Sequence, residues 1–198
     1  MSENRIRVAR ISDAAELAGI YAPYVEKTAI TFEYTPPTAE EFEKRMARTL
    51  EKYPYLVAER DGEVVGYAYA GAFNEREAYS RAAEVTVYAR EDRRKMGIGG
   101  ALYETLEKIL SEQNILNLIA RVAYPTAEDE RLTKNSAQFH EHIGYRRAGE
   151  FIKCGYKFGR WYNLVCMEKH IGKHTDAPPE FKRFSEIKTL IAEKYGIL

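Results

Sequence analysis

The stretch from Glu84 to Leu110, EVTVYAREDRRKMGIGGALYETLEKIL, leaves this chain few folds to choose from. AEVTVYA alternates as a strand does, and a basic run and three glycines follow. From Gly99 onward Leu102, Leu106, Ile109 and Leu110 recur at helical spacing. NLIARVAY is then rich in branched and aromatic residues and stops at Pro125. A strand reached through a helix lies parallel to its predecessor, so the unit is βαβ and the fold class is α/β.

The rest of the chain supplies antiparallel partners. IRVARI, from Ile6 to Ile11, reads as a half-buried strand, with Ser12 or Asp13 placed to cap the helix that follows. After Pro36 and Pro37, Thr38 and Glu41 have capping-box spacing, which predicts a helix from about Thr38 to Glu51. YLVAER and EVVGYAYAGA flank Asp61-Gly62, a turn that tolerates positive φ, and so form a hairpin. NSAQFHEHIGY reads as a short helix ended by Gly144, and two last strands meet at a turn near Gly159. The expected order is β-α-α-β-β-β-α-β-α-β-β. Beyond Gly172 a linker, KHTDAPPE, leads to an apolar stripe of Phe181, Phe184, Ile187, Leu190 and Ile191 at helical spacing. Residues 1–171 are therefore expected to form one domain, and 172–198 a linker with an amphipathic helix that packs on its own domain or on a second subunit.

Composition narrows the function. The chain of 198 residues carries 30 basic and 30 acidic side chains, so no strong global field draws it to nucleic acid or an anionic membrane. No apolar run approaches the roughly 18 residues that a membrane span needs. Cys154 and Cys166 have no CxxC spacing, so no metal site is expected and a reducing cytoplasm is. What remains is a ligand-handling protein. Backbone N–H groups at a helix start lack intrahelical partners, and the macrodipole adds about half a positive charge there. Gly97 and Gly99 would let a phosphate approach, with Arg93, Arg94 and Lys95 adding charge. The string matches neither GxxxxGK[ST] nor GxGxxG, because Leu102 stands at the sixth position from Gly97.

Arg94-Lys95-Met96-Gly97-Ile98-Gly99 resembles the [RQ]-x-x-G-x-[GA] signature of the GNAT superfamily of N-acetyltransferases. TFEYTPPTAEEF, YLVAERDGEVVGYAYAG, AEVTVYA, FHEHIGY and GYKFGRWYN resemble, in order, segments of its phosphinothricin and methionine sulfoximine acetyltransferases. The resemblance implies a mixed, mostly antiparallel sheet of about seven strands with strands 4 and 5 splayed and helices around it. It implies that acetyl-CoA lies in the split: its pyrophosphate on Arg94, Lys95, Met96, Gly97, Ile98, Gly99 and Gly100, its pantetheine arm on backbone groups of Val85, Thr86 and Val87. Where many members carry an asparagine on the cofactor arm, this chain has Thr133, so Asn135 or Ser136 is expected to take that contact.

Acyl transfer to an amine needs a base to deprotonate an ammonium. The resemblance implies that Glu84 is that base, directly or through a water, and that His140 protonates the departing thiolate or assists deprotonation. An N–H of the splayed strand, with Val87 the first choice, would stabilise the oxyanion. Arg76 suits a substrate carboxylate, and Phe32, Tyr79 and Arg81 are candidates to complete the acceptor pocket. Neither cysteine is needed as a nucleophile. The expected function is direct acetyl transfer to the amine of a small amino-acid-like substrate by a cytoplasmic homodimer. A protein or polyamine acceptor, or an acyl-CoA sensor without turnover, is the alternative.

Overall fold

The computed structural model describes residues 4–93 and 96–197. Its elements follow the order β1 (Arg5–Val8), α1 (Ala14–Lys27), α2 (Ala39–Lys52), β2 (Tyr55–Arg60), β3 (Glu63–Ala72), β4 (Ala82–Ala89), α3 (Ile98–Glu112), β5 (Asn117–Tyr124), α4 (Asn135–His142), β6 (Arg146–Lys157), β7 (Arg160–His170) and α5 (Phe184–Tyr195). The seven strands form one sheet ordered β1-β2-β3-β4-β5-β7-β6. Among the described residues β4 and β5 run parallel, and every other neighbouring pair runs antiparallel.

Local chemistry sets most boundaries. Thr38 Oγ1 accepts from the Glu41 N–H at 3.2 Å, whereas the Glu41 carboxylate turns to Arg45, so half of the expected capping box forms. Asp61 and Gly62 adopt φ of 54° and 84°, and Phe158 and Gly159 adopt 49° and 74°. Both hairpins thus turn through paired left-handed residues, whose twist suits the flanking strands. At the amino end β1 stops at Val8, short of the expected Ile11. There the Asp13 carboxylate accepts from the Arg10 N–H and from Arg7, bending the chain into a tight turn ahead of α1.

Helices cover both faces of the sheet. Residues of β2 and β3 divide between them, the alternation along β3 slipping by one at a bulge opposite Ala58 and Glu59: Leu56, Ala58, Val65 and Ala68 join α3 and α5 in one core. Tyr55, Val57, Val64 and Tyr67 join α1 and α2 in another. A strand buried on both faces reads as a near-continuous apolar run, which is why YLVA lacks alternation. Phe184, Ile187 and Ile191 of α5 are buried in the first core, so the apolar stripe of the tail is covered by its own chain.

Candidate active site

β4 and β5 pair only at Ala82↔Asn117, Ala83↔Leu118 and Glu84↔Ile119. Beyond Glu84, β4 stays with β3 and β5 stays with β7, so the sheet splits. Backbone groups of Val85–Ala89 that would face β5 are left pointing into the gap. A cavity of about 420 Å³ fills it, with Phe32, Glu84, Val85, Thr86, Val87, Ser136 and His140 in its wall.

The turn before α3 lies at one end of this gap. Gly97 has φ of 76° and precedes α3, whose first backbone bond runs from Ala101 N–H to the Gly97 carbonyl at 3.0 Å. The N–H groups of Ile98, Gly99 and Gly100 precede that bond and form the electropositive helix end. Side-chain atoms added at Gly97 or Gly100 would enter open space, but a Cβ at Gly99 would stand 3.1 Å from the Phe139 ring and 3.8 Å from Val87. Gly99 thus serves the packing of α3 on α4, while Gly100 leaves the approach open. Met96 is exposed and Ile98 is buried. Arg94 and Lys95 lie outside the described residues.

His140 is 4% exposed. Its Nδ1 lies 2.7 Å from the Ser136 carbonyl, which can only accept, so Nδ1 carries the proton. Nε2 then accepts from the Tyr103 hydroxyl at 3.2 Å. Burial pushes the imidazole pKa below its usual value, with the Ser136 carbonyl partly opposing, so the ring is neutral at neutral pH. Burial also holds the Tyr103 phenol well above its usual range. Tyr103 lines the cavity and was not among the residues singled out from sequence. Its signal was its place in a glycine-started helix one residue after Leu102.

Glu84 is engaged across the gap. Arg121 Nε donates to its Oε1 at 2.7 Å, and a second guanidinium nitrogen lies 2.5 Å from Oε2. The carboxylate raises the arginine pKa further. Arg121, a lone charge within NLIARVAY, is a second polar group of the cavity wall that is not among the sequence candidates.

The loop after α1 forms the far wall. Phe32 rests over Gly155 of β6, where a Cβ would come within 2.3 Å of the ring. The buried Lys157 ammonium donates to the carbonyls of Val25, Thr28 and Thr31 at 2.7, 2.9 and 2.8 Å. Its three donors tie this loop to the last turn of α1. A second cavity of about 680 Å³, with Phe42, Arg45, Tyr55 and Tyr67 in its wall, shares Tyr21, Glu33, Tyr69 and Tyr88 with the first.

The remaining candidates lie elsewhere. Arg76 and Tyr79 sit on an exposed turn outside the cavity wall, with Tyr79 edge-on to Phe73. The Arg81 guanidinium donates to the carbonyls of Pro179 and Pro178 at 3.0 and 3.1 Å, fastening the tail. Asn135 opens α4, its N–H on Thr133, and is not in the cavity wall.

The acetyltransferase (GNAT) domain family matches residues 6–166. A phosphinothricin N-acetyltransferase of Streptomyces viridochromogenes is 34% identical over 88% of this chain and 90% of its own. An L-methionine sulfoximine/L-methionine sulfone acetyltransferase of Pseudomonas paraeruginosa is 30% identical over 87% of this chain and 98% of its own. The crystal structure of a phosphinothricin acetyltransferase from Sinorhizobium meliloti in complex with acetyl-CoA superposes with a TM-score of 0.82. It is 30% identical and covers 91% of this chain and 95% of its own.

Proposed function

The chain belongs to the GNAT acetyltransferase family, and on that premise we propose that it transfers acetyl from acetyl-CoA to the α-amine of a small amino-acid-like substrate of the phosphinothricin or methionine sulfoximine type. One observation carries the reading: Glu84 and His140 line a single cavity at the point where β4 loses its partner strand. The split supplies unpaired strand backbone at Val85–Val87 for the pantetheine arm. The start of α3, with Gly97 and Gly100 open to approach, supplies the pyrophosphate end.

In this mechanism Glu84 takes the proton of the incoming ammonium, and the neutral amine attacks the thioester carbonyl. The Val87 N–H stabilises the oxyanion. His140 is neutral, so it enters as a proton acceptor. The proton lost by the attacking nitrogen passes through the Tyr103 hydroxyl to Nε2 and returns by that path to the departing sulfur. The acceptor's side chain extends into the tyrosine-walled second cavity. Both cysteines are free thiols, and neither enters the chemistry. The chemistry belongs to residues 1–171, with 172–198 as support. A cytoplasmic location fits the free thiols. A homodimer fits the exposed apolar side chains of β6 and β7.

The test is thiol release from acetyl-CoA with a panel of amino-acid analogues, polyamines and peptides. Glu84→Gln should lower kcat about 10²–10⁴-fold while acetyl-CoA affinity stays within a factor of about two. An unchanged rate removes Glu84 as the base. Binding of acetyl-CoA without amine-dependent release would replace the enzyme by a sensor.

A further inference from the structure

Among the described residues lining the cavity there are two carboxylates, Glu33 and Glu84, and one permanent cation, Arg121. Glu33 is clamped by Arg45 at 2.8 and 3.3 Å. Glu84 has both oxygens on the Arg121 guanidinium. With both oxygens engaged in this way, an incoming ammonium has to share or displace the guanidinium to reach the carboxylate. Arg121 stands two residues beyond Ile119, the last residue of β5 that pairs with β4. Its side chain is 54% exposed, against 21% for Glu84. Half in solvent, the guanidinium can turn to a new carboxylate without being taken out of water, so exchanging one partner for another of the same kind costs little.

We infer that Arg121 binds the α-carboxylate of the acceptor, and that a zwitterion entering between Glu84 and Arg121 exchanges one ion pair for two and frees Glu84 to act as base. An α-amino acid carries its ammonium and carboxylate on one carbon and so offers each member of the pair its counter-charge at short range. The planar guanidinium suits a second carboxylate as well as it suits Glu84. A polyamine brings nothing to Arg121, and a protein amino terminus has an amide where the carboxylate would be. The substrate class is therefore free α-amino acids and analogues that keep the carboxylate. Arg76, outside the cavity wall, is not needed for this contact. The inference rests on the acetyltransferase reading of the cavity.

The experiment compares wild type, Arg121→Gln and Arg121→Lys on three acceptors: methionine sulfone, its carboxamide, and the amine that lacks the carboxyl group. Wild type should prefer the acid over the carboxamide by about 100-fold in kcat/KM. Arg121→Gln should cut this to about threefold or less, through a higher KM for the acid and a higher kcat/KM for the carboxamide, whose entry no longer breaks a pair. Arg121→Lys should fall between them, keeping the charge without the fork. Undiminished preference in Arg121→Gln, equal wild-type rates on acid and carboxamide, or a parallel fall for both acceptors would overturn the inference. If wild type acetylates none of the three, the amino-acid acceptor reading of the cavity falls and the inference with it. If wild type acetylates them and the preference survives Arg121→Gln, Arg121 alone is reassigned.

Discussion

Committing Nδ1 to the Ser136 carbonyl gives His140 one tautomer and leaves Nε2 as its working atom. The same burial that keeps the ring neutral makes it a liability in acid. Its pKa in the folded chain lies below the roughly 6.5 of the unfolded chain, so below that pH the unfolded state takes up a proton that the folded state refuses. The stability linked to His140 is whole above about pH 6.5 and drains away as pH falls toward the folded value. In urea titrations from pH 5 to 8, wild type should lose up to about 1.4 kcal/mol per pH unit more than His140→Gln across this window. Parallel curves would show that the ring is solvated. Lys157 faces the opposite arrangement, because its ammonium is buried with its three donors on carbonyls, and the Glu33 carboxylate acts on it only through space. Burial lowers its pKa, and its charge is kept by three carbonyl dipoles that would otherwise be unpaired.

At the scale of the element, α3 divides two jobs between its neighbouring glycines. Gly99 faces Phe139, and Gly100 faces open space. Gly99→Leu should lower the melting temperature, since overpacking against the Phe139 ring costs about 1–3 kcal/mol. Gly100→Leu should leave the melting temperature unlowered, because leucine is the better helix former, yet raise the acetyl-CoA Kd about tenfold by blocking approach. Calorimetric titration and thermal denaturation of both variants check this, and equal effects on both quantities would refute the division. The order of strands and helices was legible because each boundary is local: Thr38 ahead of its helix, and left-handed turns at Asp61-Gly62 and Phe158-Gly159. What sequence did not yield was long-range. Arg81 reads as a pocket residue beside Arg76, but its partners are carbonyls of Pro178 and Pro179, nearly a hundred positions away. The Glu84–Arg121 pair spans a parallel crossover, and no spacing rule brings its members together.

For the whole molecule, the tail stitches its own side of the sheet shut. Phe184, Ile187 and Ile191 are buried, and Gln113 joins the Lys52 and Lys182 carbonyls at 2.7 and 2.8 Å. Apolar surface remains at the opposite edge, where β6 ends the sheet and Phe151, Ile152 and Trp161 are 59%, 64% and 58% exposed. The chain exposes 11062 Å², against about 9,600 Å² expected for a compact monomer of 22.8 kDa. A second copy covering this edge is the proposed remedy, and light scattering should then give twice the chain mass. Trp161→Glu, which places a charge on that face, should shift the protein to monomer. The consequence reaches the site, because the same hairpin carries Gly155 under Phe32 and Lys157 under the loop after α1, and its Tyr156 carbonyl accepts from the Tyr34 hydroxyl. The monomer should therefore show a raised KM for the acceptor, with acetyl-CoA affinity kept at the distant α3 turn. A wild type that is already monomeric would remove the dimer, and a dissociated variant with unchanged KM would show that the hairpin positions the loop without a partner.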